Sequence, residues 1–497
     1  MKKGQIYSGI VRETDFPNKG IVEVSLPGEE GGSEQASVKN ALPGQTVSFV
    51  VNKKRGGKCE GRLLKVERRA DCEQPERECD MAGTCGGCLY QGFPYEETLK
   101  SKEAQVKKLL EPFVRDAVYD GITASPRPEG YRNKMEYTFG DACKGGELTL
   151  GLHKRGSFYD ICSAGTCRIA DEDFGKIVSY TEAFFREKGI PYFHRQRHSG
   201  ILRHLLVRKA VKTGELLVAL VTVSGKSDLT RNEDEAVQRE DRPEANGAWM
   251  ERWRAGGRDT VREWSDGISA LQLSGRIAGI LHIRNDHLAD AILCDDMEVL
   301  YGRDFFTEEL LGLRFRISPF SFFQTNSLGA EKLYSRVRDY VSTDGDGATV
   351  YDLYSGTGTI AQLLAPAAKK VIGVEIVEEA VIAARENAGE NGLHNCEFIA
   401  GDVLKVLDGI EEKPDYIILD PPRDGVHPKA LRKILDYGVE RMVYISCKPT
   451  SLQRDLPVFE ATGYRVVRWG MTDMFPFTGN IETVVLVERS RDEGPAV

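Results

Sequence analysis

Long apolar runs are missing from this sequence. No stretch approaches the roughly 18–20 apolar residues that cross a bilayer, so no membrane-spanning helix is expected. The opening Met-Lys-Lys-Gly-Gln is basic but has no apolar run behind it, so a secretory signal is not expected either. Cysteine is scarce. Eleven in 497 residues are too few for a disulfide scaffold. In a chain read as cytoplasmic they should be reduced, and where they are grouped they point to metal or catalysis. Positive charge is in the minority: a net charge of -9 excludes a uniformly basic nucleic-acid binder. What is present, 41% hydrophobic and 29% charged residues, is ordinary globular material. The length exceeds what one core organises, so two or three domains are expected.

The charge is unevenly placed. Residues 1–70 carry 13 Lys and Arg against 8 Asp and Glu, and most of that excess lies between Lys53 and Arg69. Lys53, Lys54, Arg55 and Lys58 begin this stripe. It can dock phosphates whatever the total charge, or it is simply a solvated strand face. The same region reads as short strands, QIYSGIV, GIVEVSL, QTVSFVVNK and GRLLKVERR, punctuated by Gly, Pro and Asn. That spacing suits a small antiparallel barrel over residues 1–67, a shape often used on single-stranded nucleic acid. A mixed, strand-rich central region is expected over 68–318. Within it, 225–266 is charged and poor in periodic apolar residues, and reads as a mobile or partly helical insertion.

From about residue 319 to the C-terminus, apolar strand runs alternate with helical segments: ATVYDLYS, KKVIGVEI, CEFIAGD, DYIILD and RMVYISC. That alternation predicts a doubly wound, mostly parallel sheet with ligands at the carboxyl ends of its strands. The first run ends in a glycine loop in which Gly356, Gly358 and Ala361 satisfy G-x-G-x-x-G/A, with Glu375 nineteen residues after Gly356. Nicotinamide dinucleotides and S-adenosylmethionine both need such glycines and such a carboxylate, and the loop alone leaves both open. Asp352 favours the second, whose amino-acid end is cationic. Asp420-Pro421-Pro422-Arg423 ends a buried strand, and its two prolines stiffen the loop that holds the Asp420 carboxylate.

Cys447 ends the strand RMVYIS. A lone strand-end cysteine is usually packing, but this one shares an edge with a glycine loop and a Pro-Pro turn. A thiolate suits one methylation in particular, because carbon 5 of a pyrimidine is a poor nucleophile until a thiolate adds at carbon 6. A base must then remove the carbon 5 proton, and Glu482 is the candidate; its plain alternative is a solvated strand-end charge. Nearer the N-terminus, Cys79, Cys85 and Cys88 are spaced C-x5-C-x2-C, with a fourth ligand available from Cys162, Cys167 or Cys143. This spacing suits an iron–sulfur cluster better than zinc, which usually takes paired knuckles.

Together these motifs resemble the S-adenosylmethionine-dependent RNA uracil-C5 methyltransferases of large-subunit ribosomal RNA and of the transfer-RNA T-loop. The resemblance covers nearly the whole chain outside 225–266. It implies a Rossmann-like class I methyltransferase sheet over 319–497, an OB-like TRAM barrel over 1–67 and a mixed α+β iron–sulfur domain between them. It implies a 4Fe–4S cluster on Cys79, Cys85, Cys88 and Cys167, with Cys162 spare. It places Gln324 (in Phe-Phe-Gln-Thr-Asn), Tyr354, Gly356, Gly358, Glu375, Asp402 and Asp420 on the cofactor, Cys447 as nucleophile and Glu482 as base. Tyr131-Arg132-Asn133-Lys134 looks like an RNA-facing segment, through Arg132 and Lys134. Where relatives commonly carry histidines near the base, this chain has Asn480 and Phe477, so a histidine relay is not expected.

The expected activity is methylation of carbon 5 of a specific uridine, in 23S ribosomal RNA ahead of transfer-RNA uridine 54. An RNA cytosine-C5 methyltransferase and a nicotinamide-dependent iron–sulfur oxidoreductase are the rivals. The first commonly has a second cysteine beside the proline turn, and the second leaves Cys447 and Glu482 idle. The expected partner is RNA, with no membrane and no obligate protein partner.

Overall fold

The computed structural model describes residues 1–25, 32–225, 244–341, 347–410 and 412–490. Contacts divide them into two units. The first joins Met1–Glu78, Cys88–Pro128 and Leu328–Val497, and the second joins Cys79–Gly87 and Glu129–Ser327.

In the first unit, the N-terminal strand runs close on themselves. Strands Ile6–Asp15, Lys19–Ser25, Ser33–Lys39, Lys58–Arg68 and Thr46–Arg55 follow one another, in that order, around a closed barrel. Alternation puts Val11, Val22, Val24, Val38, Val47, Phe49 and Val51 inside. Strands Thr46–Arg55 and Lys58–Arg68 meet at Arg55↔Lys58 across Gly56-Gly57, whose φ values of 55° and 77° suit a two-residue hairpin turn that only such residues accept readily. Lys53, Lys54, Arg55 and Lys58 therefore flank an exposed hairpin tip.

The rest of this unit is an eight-stranded sheet in the order Cys396–Ala400, Lys370–Glu375, Thr349–Leu353, Tyr416–Leu419, Arg441–Ser446, Glu482–Arg489, Tyr464–Thr472, Val118–Thr123. The first five are parallel, and Glu482–Arg489 inserts antiparallel between its two neighbours. Near-continuous apolar runs such as Tyr416–Leu419, buried at every position, are what a sheet covered on both faces requires. The edge strand Val118–Thr123 and the helix Tyr95–Val114 were expected in the central domain. They belong to this sheet instead: the strand pairs with Tyr464–Thr472, and the helix buries Val106, Leu110 and Val114 in the sheet's core.

The second unit carries a seven-stranded sheet in the order Asp296–Gly302, Arg276–Arg284, Glu215–Thr222, Leu202–Lys209, Lys134–Asp141, Leu148–His153, Ile161–Ser163. Part of the region 225–266, expected to be a mobile or partly helical insertion, is helical here. Strands Glu215–Thr222 and Arg276–Arg284 are parallel neighbours, and parallel neighbours need a crossover connection, usually helical. The helix Glu244–Ser269 lies in that crossover. Trp253, Val261, Trp264 and Ile268 join the unit's core, and the Trp264 indole donates to Thr181 Oγ1 at 3.1 Å. Residues 226–243 of that region lie outside the described residues. The second unit also continues past 318, through the segment that carries Gln324, to Ser327.

Candidate active site

The pairing registers align the candidate residues at the carboxyl edge of the eight-stranded sheet. Leu353 pairs with Val374 and with Leu419, so Tyr354, Glu375 and Asp420 stand side by side one step beyond. Ser446 pairs with Thr483, so the next antiparallel positions outward are Cys447 and Glu482. The charge of Glu482 reaches the Cys447 thiol, so two residues 35 apart in sequence are neighbours at this edge.

At the glycine loop the backbone is held in unusual conformations. Tyr354 has a φ of 73°, rare for a residue with a side chain, followed by Gly356 at 53° and Gly358 at 72°. A Cβ on Gly358 would sit 2.5 Å from the Phe398 ring, so glycine is required by space as well as conformation. The Glu375 carboxylate accepts from the amides of Gly356 (3.0 Å), Ile376 (2.9 Å) and Val377 (3.0 Å), which fixes it against the loop. Asp402 follows the strand Cys396–Ala400 and accepts from Leu404 N at 2.9 Å, capping a short helical turn. Asp352 is fully buried, and its Oδ2 accepts from Ala361 N at 3.0 Å. Its Oδ1 and the buried Ser355 hydroxyl have no partner among the described residues.

Such orphaned buried acceptors call for a donor. Burial, with Asp420 and Glu375 nearby, pushes Asp352 up to about 7, and burial pushes Asp420 up to about 7 as well. A cationic ligand end would restore both charges. S-adenosylmethionine, with a sulfonium and an ammonium group, fits this donor-poor, acid-rich edge.

Glu482 is almost fully buried, and burial reinforced by Asp420 pushes it up to about 8, against the Arg423 guanidinium. Burial, then the charges of Glu482 and Asp420, pushes the half-buried Cys447 thiol up to about 11, again opposed by Arg423. Cys447, Glu482, Asp420 and Arg423 therefore form one electrostatic group. A thiol beside a carboxylate that titrates near neutrality can perform nucleophilic addition and proton removal.

In the second unit, Gln324 lies in a segment strapped from three sides. The fully buried Arg208 donates to the carbonyls of Ser318 (2.7 Å) and Ser321 (2.8 Å). Asn133 Nδ2 donates to Gln324 O (2.9 Å) and Ser327 Oγ (2.8 Å), and Ser327 Oγ donates to the buried Glu308 at 2.6 Å. The segment Tyr131–Lys134, expected to face RNA, is therefore mixed. Tyr131 and Asn133 are buried supports, while Arg132 and Lys134 are half-buried and Lys134 pairs with Glu136 at 2.7 Å.

The expected metal ligands divide between the units, Cys79, Cys85 and Cys167 in the second and Cys88 in the first. Cys79 and Cys85 lie near enough to Cys167 for their charges to add to the burial that raises its thiol. Cys162, expected to stand outside the ligand set, lies beside Cys85, and its thiol donates to Leu152 O at 3.2 Å. Among the described residues no group of three or more His, Cys, Asp or Glu side chains is gathered as metal ligands.

Sequence reasoning missed Lys102. It is 2% exposed, in the helix Tyr95–Val114, and its ammonium holds the segment just before Glu482. The only sequence signal was a lysine on the helix's apolar face.

A family model described as tRNA (Uracil-5-)-methyltransferase matches residues 295–490. An uncharacterized RNA methyltransferase of Clostridium tetani is 43% identical over 494 residues, covering 98% of this chain and 99% of that protein. Another, of Caldanaerobacter subterraneus subsp. tengcongensis, is 44% identical over 491 residues, covering 99% of this chain and 100% of that one. The crystal structure of the Pyrococcus abyssi tRNA (uracil-54, C5)-methyltransferase in complex with S-adenosyl-L-homocysteine is similar in fold. It has a TM-score of 0.68 at 22% identity, over 97% of this chain and 100% of that one.

Proposed function

We infer that this chain, which belongs to the RNA (uracil-5-)-methyltransferase family, methylates carbon 5 of a uridine in 23S ribosomal RNA through a covalent Cys447 adduct. The observation that carries this reading is the register that sets Cys447 opposite Glu482, with Asp420 beside the glycine loop of the same sheet edge. Bound S-adenosylmethionine supplies the methyl group. Glu375 and the loop Tyr354–Gly358 would hold its ribose, Asp352 and Asp420 would face its cationic end, and Asp402 would complete the set within this unit; the resemblance adds Gln324.

The Cys447 thiolate adds to carbon 6 of a uracil swung out of its stack, and the electron pair moves to give an enolate. Carbon 5 takes the methyl group as the methyl–sulfur bond breaks, leaving S-adenosylhomocysteine, and becomes tetrahedral. Glu482, as carboxylate, removes the carbon 5 proton, and the returning electron pair expels Cys447 as thiolate. Its elevated pKa suits this task, since a base near neutrality is both available and strong enough. Burial keeps competing water from its carboxylate.

The barrel, with its Lys53–Lys58 hairpin tip, and Arg132 and Lys134 contribute phosphate contacts. The TRAM-like barrel favours ribosomal RNA. A transfer-RNA uridine, position 54 first, is the second reading, and the match to a tRNA (Uracil-5-)-methyltransferase family supports transfer RNA. The resemblance of Cys79, Cys85, Cys88 and Cys167 to a 4Fe–4S ligand set supports a structural cluster outside the reaction path. Mapping 5-methyluridine in ribosomal and transfer RNA from cells with and without the gene tests the substrate. Loss at one 23S position supports the proposal, loss at transfer-RNA position 54 selects the second reading, and no loss in either refutes uridine methylation.

A further inference from the structure

The segment from Asp473 to Ile481 leads directly into Glu482, and a buried polar bracket grips it. Lys102 has three ammonium donors, and the segment takes all three: Asp473 Oδ1 at 2.8 Å, Phe475 O at 3.0 Å and Asn480 O at 3.0 Å. Both charges are buried, Lys102 at 2% and Asp473 at 0% exposure. Burial lowers the pKa of Lys102, and Asp473 opposes that shift. Phe475 N donates back to Asp473 Oδ1 at 3.2 Å. Two further elements reach the same segment. Leu89 N (2.8 Å) and Tyr90 N (3.0 Å) donate to the carbonyl of Phe477, a residue held at a φ of 61°. Asn18, from the barrel, donates through Nδ2 to Gly479 O at 3.4 Å, and Tyr90 and Gln105 in turn hold Asn18.

A buried ion pair is a weak way to gain stability, because desolvation offsets most of the attraction. Three bonds to three separate points of one connecting segment fix geometry instead. We propose that Lys102 is a positioning residue that, through the Asp473–Ile481 segment, aims the Glu482 carboxylate at the proton it removes. The proposal rests on the reading of Glu482 as base. It separates two effects: loss of Lys102 slows proton removal, and leaves cofactor binding and thiolate addition intact.

Lys102→Met alone strands a buried Asp473 charge and can unfold the region, so the decisive variant is Lys102→Met with Asp473→Leu. Replacing both members of a buried pair by apolar residues is often neutral for folding, yet the carbonyls of Phe475 and Asn480 lose their anchor. The full-length double variant is given methyl-labelled S-adenosylmethionine and a pool of unmodified ribosomal and transfer RNA transcripts. It should bind S-adenosylhomocysteine as wild type does and form the labelled protein–RNA adduct at the wild-type rate. It should then resolve that adduct at least tenfold more slowly, and the amides of residues 474–481 should exchange hydrogen at least tenfold faster. Resolution at the wild-type rate overturns the proposal, whatever the amides do. Failure to bind S-adenosylhomocysteine overturns it too, since the pair would then support the whole sheet. Glu482→Gln is run alongside: if it accumulates no adduct, the base reading fails, and amide exchange alone still decides whether Lys102 holds the segment.

Discussion

Raising the pH should accelerate the capture of uracil by Cys447 well past neutrality. The thiol is pushed up to about 11 by burial and then by the charges of Glu482 and Asp420. At pH 7.5, only about three in ten thousand Cys447 side chains are then thiolate, against about nine in a hundred for an ordinary surface thiol. Between pH 7 and 10, each unit should therefore raise the capture rate about tenfold. Glu482, pushed up to about 8, titrates earlier. The step that needs its carboxylate should climb up to pH 8 and level off above it, so the two steps separate on the pH axis. RNA containing 5-fluorouridine stalls after methyl transfer, because fluorine cannot leave as a proton, and its adduct yield over time reports capture and methyl transfer without proton removal. Decay of the adduct on ordinary uridine RNA reports proton removal. Asp420→Asn deletes a charge that raises both groups, so both profiles should move to lower pH. A capture rate flat from pH 7 to 10, or profiles unmoved in that variant, would refute the electrostatic account.

Asp352 has a raised pKa, about 7 in the folded chain, so the folded state holds its proton more tightly than the unfolded one. Its contribution is present below the unfolded carboxylate range and is lost as pH rises from about 4 through 7, at a cost on the order of a few kcal/mol. Asp352→Asn should flatten the melting temperature of the ligand-free protein over that window and weaken S-adenosylhomocysteine binding at pH 8; an unchanged profile would mean that the carboxylate is not uncompensated. Anaerobically purified protein should be brown with about four irons per chain, and Cys167→Ser should bleach it, whereas zinc without iron would remove the cluster assignment. Neutralising Lys53, Lys54, Arg55 and Lys58 together should reduce the slope of log affinity against log salt by about 0.7 for each single-strand phosphate that the tip no longer neutralises. An unaltered slope would return the hairpin tip to a solvated face.

The barrel and the parallel sheet were legible because local chemistry specifies them: the Gly56-Gly57 turn between alternating strands, and apolar runs of four to six residues ending in glycine, proline or acid. The candidate site was legible for the same reason, since a strand's last residue reaches the carboxyl edge whatever its neighbours are. Partners distant in sequence were not. Val118–Thr123 alternates too weakly to declare itself an edge strand, and its partner lies in Tyr464–Thr472. Lys102 meets Asp473 across 371 residues, and no local pattern marks such a pair. The crossover helix was masked by Gly256, Gly257 and the charges of Arg252, Arg254 and Arg258. Its buried stripe, Trp253, Val261, Trp264 and Ile268, nonetheless keeps helical spacing. Periodicity counted over the whole 26-residue helix, rather than composition, would have found it.

The central claim is that Cys447 bonds to the uracil during methyl transfer. Wild-type protein incubated with S-adenosylmethionine and 5-fluorouridine-containing RNA should yield a covalent complex. After nuclease and protease digestion, mass spectrometry should place a methylated fluorouridine on the peptide that contains Cys447. The account predicts that adduct in wild type, its absence in Cys447→Ala, and retained S-adenosylhomocysteine binding in that variant. An adduct on any other cysteine, or methylated RNA made by Cys447→Ala, would contradict it.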